Sequence, residues 1–121
     1  MTDVRSYADR RKVRLTTRGR KSGAPRTVTV WFVVAGETRL FVQHAARAPA
    51  HWYRNLLQDP AVQIDFGDGP LEARAEPILD DAKIRDVLKQ VRSKYRLAWL
   101  IQLLGRNAQP VAAEIELVAP A

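Results

Sequence analysis

The chain has 121 residues, 46% of them apolar and 27% charged, which suits one domain over 1–121 and is too short for two. The absence of cysteine and the presence of only two histidines exclude disulfides, thiol nucleophiles and Cys-based zinc, and argue against any metal site; no apolar run is long enough to span a membrane and residues 1 to 20 lack the apolar core of a secretory signal, so a cytoplasmic protein is expected. The net charge is +7, and the stretch Arg10 to Gly36 holds eight Arg or Lys and no Asp or Glu, a one-sign field suited to an anionic partner such as nucleic acid, an anionic membrane surface or a phosphorylated small molecule.

Residues 1–10 show no clear period and read as a short helix or a loose arm. KVRLTT (12–17) alternates, with Val13, Leu15 and Thr17 on one face, and predicts a strand. The basic loop RGRKSGAP follows. RTVTVWFVV (26–34) is β-branched and aromatic on both faces, as a central strand would be. After the turn AGET, RLFVQH (39–44) returns as its hairpin partner.

The period then changes. In APAHWYRNLLQDP (48–60), Trp52, Tyr53, Leu56 and Leu57 recur at helical spacing until Asp59-Pro60 stops the helix. AVQIDF (61–66) and PLEARAEPIL (70–79) flank a GDG turn and predict a hairpin. Asp80 caps a second helix over 81–94, with Leu79 and Ile84 placed as a hydrophobic staple and Ile84, Val87, Leu88 and Val91 as its buried stripe. LAWLIQLLG (97–105) reads as a short buried helix, and VAAEIELV (111–118) as a last strand. The order β-β-β-α-β-β-α-α-β predicts a mainly β, α+β fold: a six-stranded antiparallel sheet closed into a small barrel, with an inserted helix and two further helices.

The loop at 18–26 carries the chemistry. Gly19 and Gly23 are placed to let the backbone turn with positive φ and to present N–H groups, Ser22 adds a hydroxyl, and Arg20, Lys21 and Arg26 add charge. Together they make a nest for phosphate or carboxylate. The spacing fits neither a Walker A loop nor a dinucleotide fingerprint. A solvated hairpin turn capped by Ser22 is the competing structural reading. A second constellation is aromatic: Trp31 and Phe32 on one strand, Trp52 and Tyr53 on the inserted helix, and His44 at a strand end. These side chains would suit a flat heterocycle, although large aromatics also build cores. His51 is expected in solvent, and Asn55 bonds either ligand or nearby backbone. Paired carboxylates, a Ser-His-Asp order and a metal set are all lacking, so redox chemistry here would have to come from a cofactor.

The segments TTRGRKSGAPRTVTVWFVV and HWYRNLLQDPAVQIDFGDG resemble the split β-barrel flavin/deazaflavin oxidoreductases. This group includes the deazaflavin (coenzyme F420)-dependent nitroreductases and relatives of pyridoxamine-phosphate oxidase. The likeness runs over residues 13 to 118. It implies a split barrel, often a homodimer, with coenzyme F420 or alternatively FMN held in a groove of the barrel wall. Carried over, Arg20, Lys21, Ser22, Gly23 and Arg26 would bind the cofactor's phosphate or acidic tail, and Trp52, Tyr53 and Asn55 would border it. Gln43 and His44 stand where many members have small residues beside the ring, and Thr29 stands where many have proline. Trp31 would stack on a substrate such as a quinone or nitroarene, and His44 is a candidate proton donor. Two other readings compete with this oxidoreductase. One is a binding module for an anionic cofactor, without chemistry. The other is nucleic-acid binding through the basic face, disfavoured because exposed aromatics are not interleaved with the charges and no DNA-binding helix motif occurs.

Overall fold

The computed structural model describes residues 2–43, 51–96 and 111–118. Six strands carry the fold: β1 (Val13–Arg18), β2 (Pro25–Val34), β3 (Arg39–Gln43), β4 (Ala61–Asp65), β5 (Pro70–Pro77) and β6 (Ala112–Leu117). Two helices accompany them, α1 (His51–Gln58) between β3 and β4, and α2 (Asp81–Lys94) between β5 and β6. The strands close into a barrel in the order β1-β2-β3-β6-β5-β4, with every neighbouring pair antiparallel. The expected mainly β barrel is therefore present. The helix expected over 97–105 and the position of His44 lie outside the described residues.

Strand alternation sorts the side chains into two cores. Val13, Leu15, Val30, Phe32, Leu40, Val42, Ile64 and Ile115 fill the barrel, and Trp52 and Leu56 of α1 cap one end of it. A second core lies outside the wall, where Val33 and Trp31 of β2 meet Val87, Val91 and Tyr95 from α2 and its end. This explains why β2 is apolar on both faces: one face looks into the barrel and the other is covered by α2.

β1 begins at Val13, opposite Val30, so β2 has no β1 partner beyond that point. The gap is filled by the end of α2. Tyr95 Oη accepts from the Phe32 backbone N–H at 3.3 Å and donates to the Phe32 carbonyl at 3.3 Å, while Lys94 Nζ donates to the same carbonyl at 3.0 Å. Backbone groups left open by the sheet thus find side-chain partners. Burial holds the Lys94 amine down to about 8, with the Arg11 guanidinium adding to the effect.

Three local expectations are corrected. Of the two readings of the N-terminal stretch, the short helix holds and the loose arm does not: Val4–Tyr7 form a 3₁₀ turn capped by Asp3, Val4 is fully buried in the barrel core, and Tyr7 stacks on Phe66 with ring centroids 4.4 Å apart. The hydrophobic staple at α2 is absent, because Leu79 is 77% exposed and Ile78 is the residue that turns inward with Ile84. The Asp80 cap itself forms, its carboxylate accepting from the Ala82 N–H at 3.0 Å. Leu57 is also exposed on α1 rather than part of its buried stripe.

Candidate functional site

The basic loop joins β1 to β2 and closes on itself by two backbone bonds, Gly19 N–H to Ala24 O and Gly23 N–H to Gly19 O, both 2.8 Å. The two glycines serve different purposes. Gly23 has φ +73°, the left-handed region that glycine enters without steric cost. Gly19 does not have positive φ, contrary to expectation; a Cβ there would stand 3.1 Å from the Ala24 carbonyl oxygen, a tight approach of backbone to backbone that favours glycine. Ser22 Oγ accepts from the Ala24 N–H at 3.2 Å, which leaves its own hydroxyl hydrogen free to donate.

Between this loop and α1 lies a cleft of about 630 Å³. Arg20, Lys21, Ser22 and Arg26 line one side of it, and His51, Trp52 and Asn55 line the other. Lys21 and Arg26 are exposed and have no carboxylate partner among the described residues. Four other cations of the basic stretch are engaged: Arg14 with Asp65 at 3.4 Å, Arg18 with Asp59 at 3.3 Å, and Arg10 and Arg11 over the rings of Tyr7 and Tyr95. The local field is therefore positive at the cleft, and the backbone N–H groups of Lys21 and Ser22 are not taken by the described protein.

Asn55 is buried on α1. Its Oδ1 accepts from Arg20 Nη1 at 2.9 Å, and its Nδ2 donates to Thr17 Oγ1 at 3.1 Å. Trp52 is buried in the barrel core, so only part of its indole meets the cleft. Tyr53 packs against the core edge-to-face with Trp52 and does not line the cleft.

Trp31 and Gln43 lie elsewhere. They are direct partners across the β2–β3 pairing, on the outer face of the wall. Trp31 is half-buried and stacked on Tyr95 at 5.1 Å, and so serves the second core. Gln43 is 4% exposed and its Oε1 has no hydrogen-bond donor among the described residues. Thr17 and His51 line the cleft but were not singled out as site residues from sequence. For Thr17 a signal existed: it is the polar member of the inward row Val13-Leu15-Thr17, and a buried hydroxyl needs a partner.

The fold recurs in solved proteins. A protein described as a domain-swapped dimer superposes with a TM-score of 0.67 at 22% identity, covering 89% of this chain and 81% of its own. An F420-H2-dependent reductase, FDR-A, gives 0.64 at 24% identity, covering 88% of this chain and 95% of its own. A putative pyridoxamine 5'-phosphate oxidase from Listeria innocua gives 0.65 at 12% identity, covering 96% and 91%. No curated protein matches the chain. The family model for F420H(2)-dependent quinone reductases matches residues 4–97, from the 3₁₀ turn through α2. The chain belongs to the F420H(2)-dependent quinone reductase family.

Proposed function

We propose that this protein is an oxidoreductase that binds coenzyme F420 and reduces a small organic acceptor, a quinone or a nitroarene. The observation that carries the reading is the pairing of family membership with an open cleft whose two exposed cations, Lys21 and Arg26, lack carboxylate partners among the described residues. The donor set fits an anionic cofactor tail. Lys21 supplies a point charge, Arg26 a fork, Ser22 a hydroxyl, and the turn at Gly23 presents backbone N–H groups. FMN carries a phosphate too and is the alternative occupant.

The outer face of β2 offers a path for the rest of the cofactor. Thr27 lines the cleft, Thr29 is exposed, and Trp31 lies beside Gln43. At ~3.3 Å per residue, Thr27 to Trp31 covers about 13 Å, a span suited to a ligand with an anionic tail and a distant ring. In this reading Gln43 Oε1 accepts a ring N–H, supplying the donor that it lacks among the described residues. Trp31 forms an apolar wall for acceptor or ring. A reduced deazaflavin, when bound, supplies a hydride. Trp52 and Leu56 close the barrel end beneath the cleft and keep water from the barrel interior. We further propose a homodimer, supported by the dimeric state described for one structural neighbour.

Titration of the purified protein with coenzyme F420 and, separately, with FMN tests the cofactor. Saturable F420 binding and F420H2 oxidation dependent on an added quinone or nitroarene are expected. Binding of FMN alone, or of neither, would refute the reading.

A further inference from the structure

Asn55 is 3% exposed, and the protein itself spends most of its bonding capacity. Besides the bond from Arg20 Nη1, its Oδ1 takes the Arg20 backbone N–H at 3.4 Å. Nδ2 donates to Thr17, itself 2% exposed on the inward face of β1. A side-chain amide has two acceptor lone pairs and two donor hydrogens, so three of four are committed. Nη2 of Arg20 also lies 3.5 Å from His51 Nδ1, which draws the guanidinium further onto α1. The loop residues 20–24 are half-buried or exposed, so no apolar side chain anchors them. Apart from the Arg18–Asp59 pair at its base and the longer Arg20–His51 contact, the Asn55 amide is what ties the loop to the rest of the described molecule.

We infer that Thr17, Asn55 and Arg20 form a latch that fixes the anion loop against α1, with Asn55 as a positioning residue and Arg20 holding the loop instead of gripping the ligand. The gripping charges are Lys21 and Arg26. The latch works because the Asn55 amide is anchored from behind, its Nδ2 donating to a buried hydroxyl. A flipped amide would set its Nδ2 hydrogens against the Arg20 donors, so Oδ1 stays turned toward Arg20 and holds it by both its backbone and its side chain. A loop held in its binding shape loses less entropy when an anion arrives.

The inference rests on the proposed cofactor site only for its binding arm, so two independent readouts test it. Hydrogen–deuterium exchange of the 19–24 amides is compared in wild type, Arg20→Met, Asn55→Leu, Thr17→Val and the Arg20→Met/Asn55→Leu double variant. The latch predicts roughly tenfold faster loop exchange in Arg20→Met and Asn55→Leu, with a smaller rise in Thr17→Val. F420 affinity is read on the same proteins by cofactor fluorescence. Each of Arg20→Met and Asn55→Leu is expected to weaken binding about tenfold, and the double variant no further, because both break one device. A double variant about a hundredfold weaker would make Arg20 a direct ligand and overturn the proposal. Unchanged loop exchange in Asn55→Leu would overturn it too. If Asn55→Leu fails to fold, Thr17→Val, a near-isostere, carries the comparison, and unaltered loop exchange in that variant refutes the latch. If wild type binds no F420, the cofactor reading fails while the exchange arm still decides the latch.

Discussion

Neutralising the two exposed cations of the cleft, in a Lys21→Met/Arg26→Met variant, should weaken F420 binding by about thirtyfold to a hundred-and-fiftyfold at low salt. The magnitude follows from the geometry of the loop. Two unit charges about 4 Å apart attract by about 1 kcal/mol in water and about 4 kcal/mol at an effective dielectric of 20. Both side chains are exposed, so the lower end applies: about 1 to 1.5 kcal/mol per cation, or about 2 to 3 kcal/mol for the pair. Neither side chain makes an ion pair among the described residues, so the fold should lose nothing measurable and Tm should hold. Isothermal titration at several salt concentrations is the assay. The Debye length shortens from about 10 Å at 0.1 M to about 3 Å at 1 M, so the gap between wild type and variant should close as salt rises. A variant that binds F420 within threefold of wild type at low salt would refute the electrostatic account of the cleft.

Other predictions concern the wall and its supports. Tyr95→Phe removes a buried hydroxyl that serves both polar groups of Phe32; stability should fall by about 1 to 3 kcal/mol, seen as a lower urea midpoint. Gln43→Leu removes a buried oxygen that has no donor among the described residues; the cofactor-free protein should gain about 1 kcal/mol in Tm-based stability and bind F420 more weakly, whereas unchanged affinity would detach Gln43 from the ring. The Lys94 amine should titrate near 8, well below its ordinary 10.5, because of burial and then Arg11, partly offset by Asp9. The unfolded chain therefore holds more protons between about pH 8 and 10.5, so stability should rise with pH across that window, be flat below it, and lose the rise in Lys94→Met.

Much of this molecule is legible in the sequence because strict alternation and turn residues do not depend on distant partners. α2 runs over 81–94 as its apolar spacing and the Asp80 cap require. What alternation cannot reveal is which outer faces are covered. Trp31 and Phe32 are neighbours on one strand, so one must point each way; only the packing of α2 shows that Trp31's side is also a core. The N-terminal turn stays open between short helix and loose arm in the sequence because four residues carry no period; its anchors are the buried Val4, a backbone bond from Val4 to Glu37 at 2.7 Å and the stack of Tyr7 on Phe66, all of them long-range. At the site, the charges at Arg20, Lys21 and Arg26 are plain in the sequence. Their division of labour is not: it depends on Asn55, which lies 35 residues from Arg20 in the chain and meets it only once the barrel closes.

Whether this barrel binds a deazaflavin and passes its hydride to an organic acceptor, as proposed, is decided by anaerobic mixing of the protein with F420H2 and a quinone, following the appearance of oxidised F420. Saturable, protein-dependent oxidation is expected, slower in the Lys21→Met/Arg26→Met variant at low salt and recovering as F420H2 is raised. Oxidation no faster than without protein, across the quinone and nitroarene series, would contradict it.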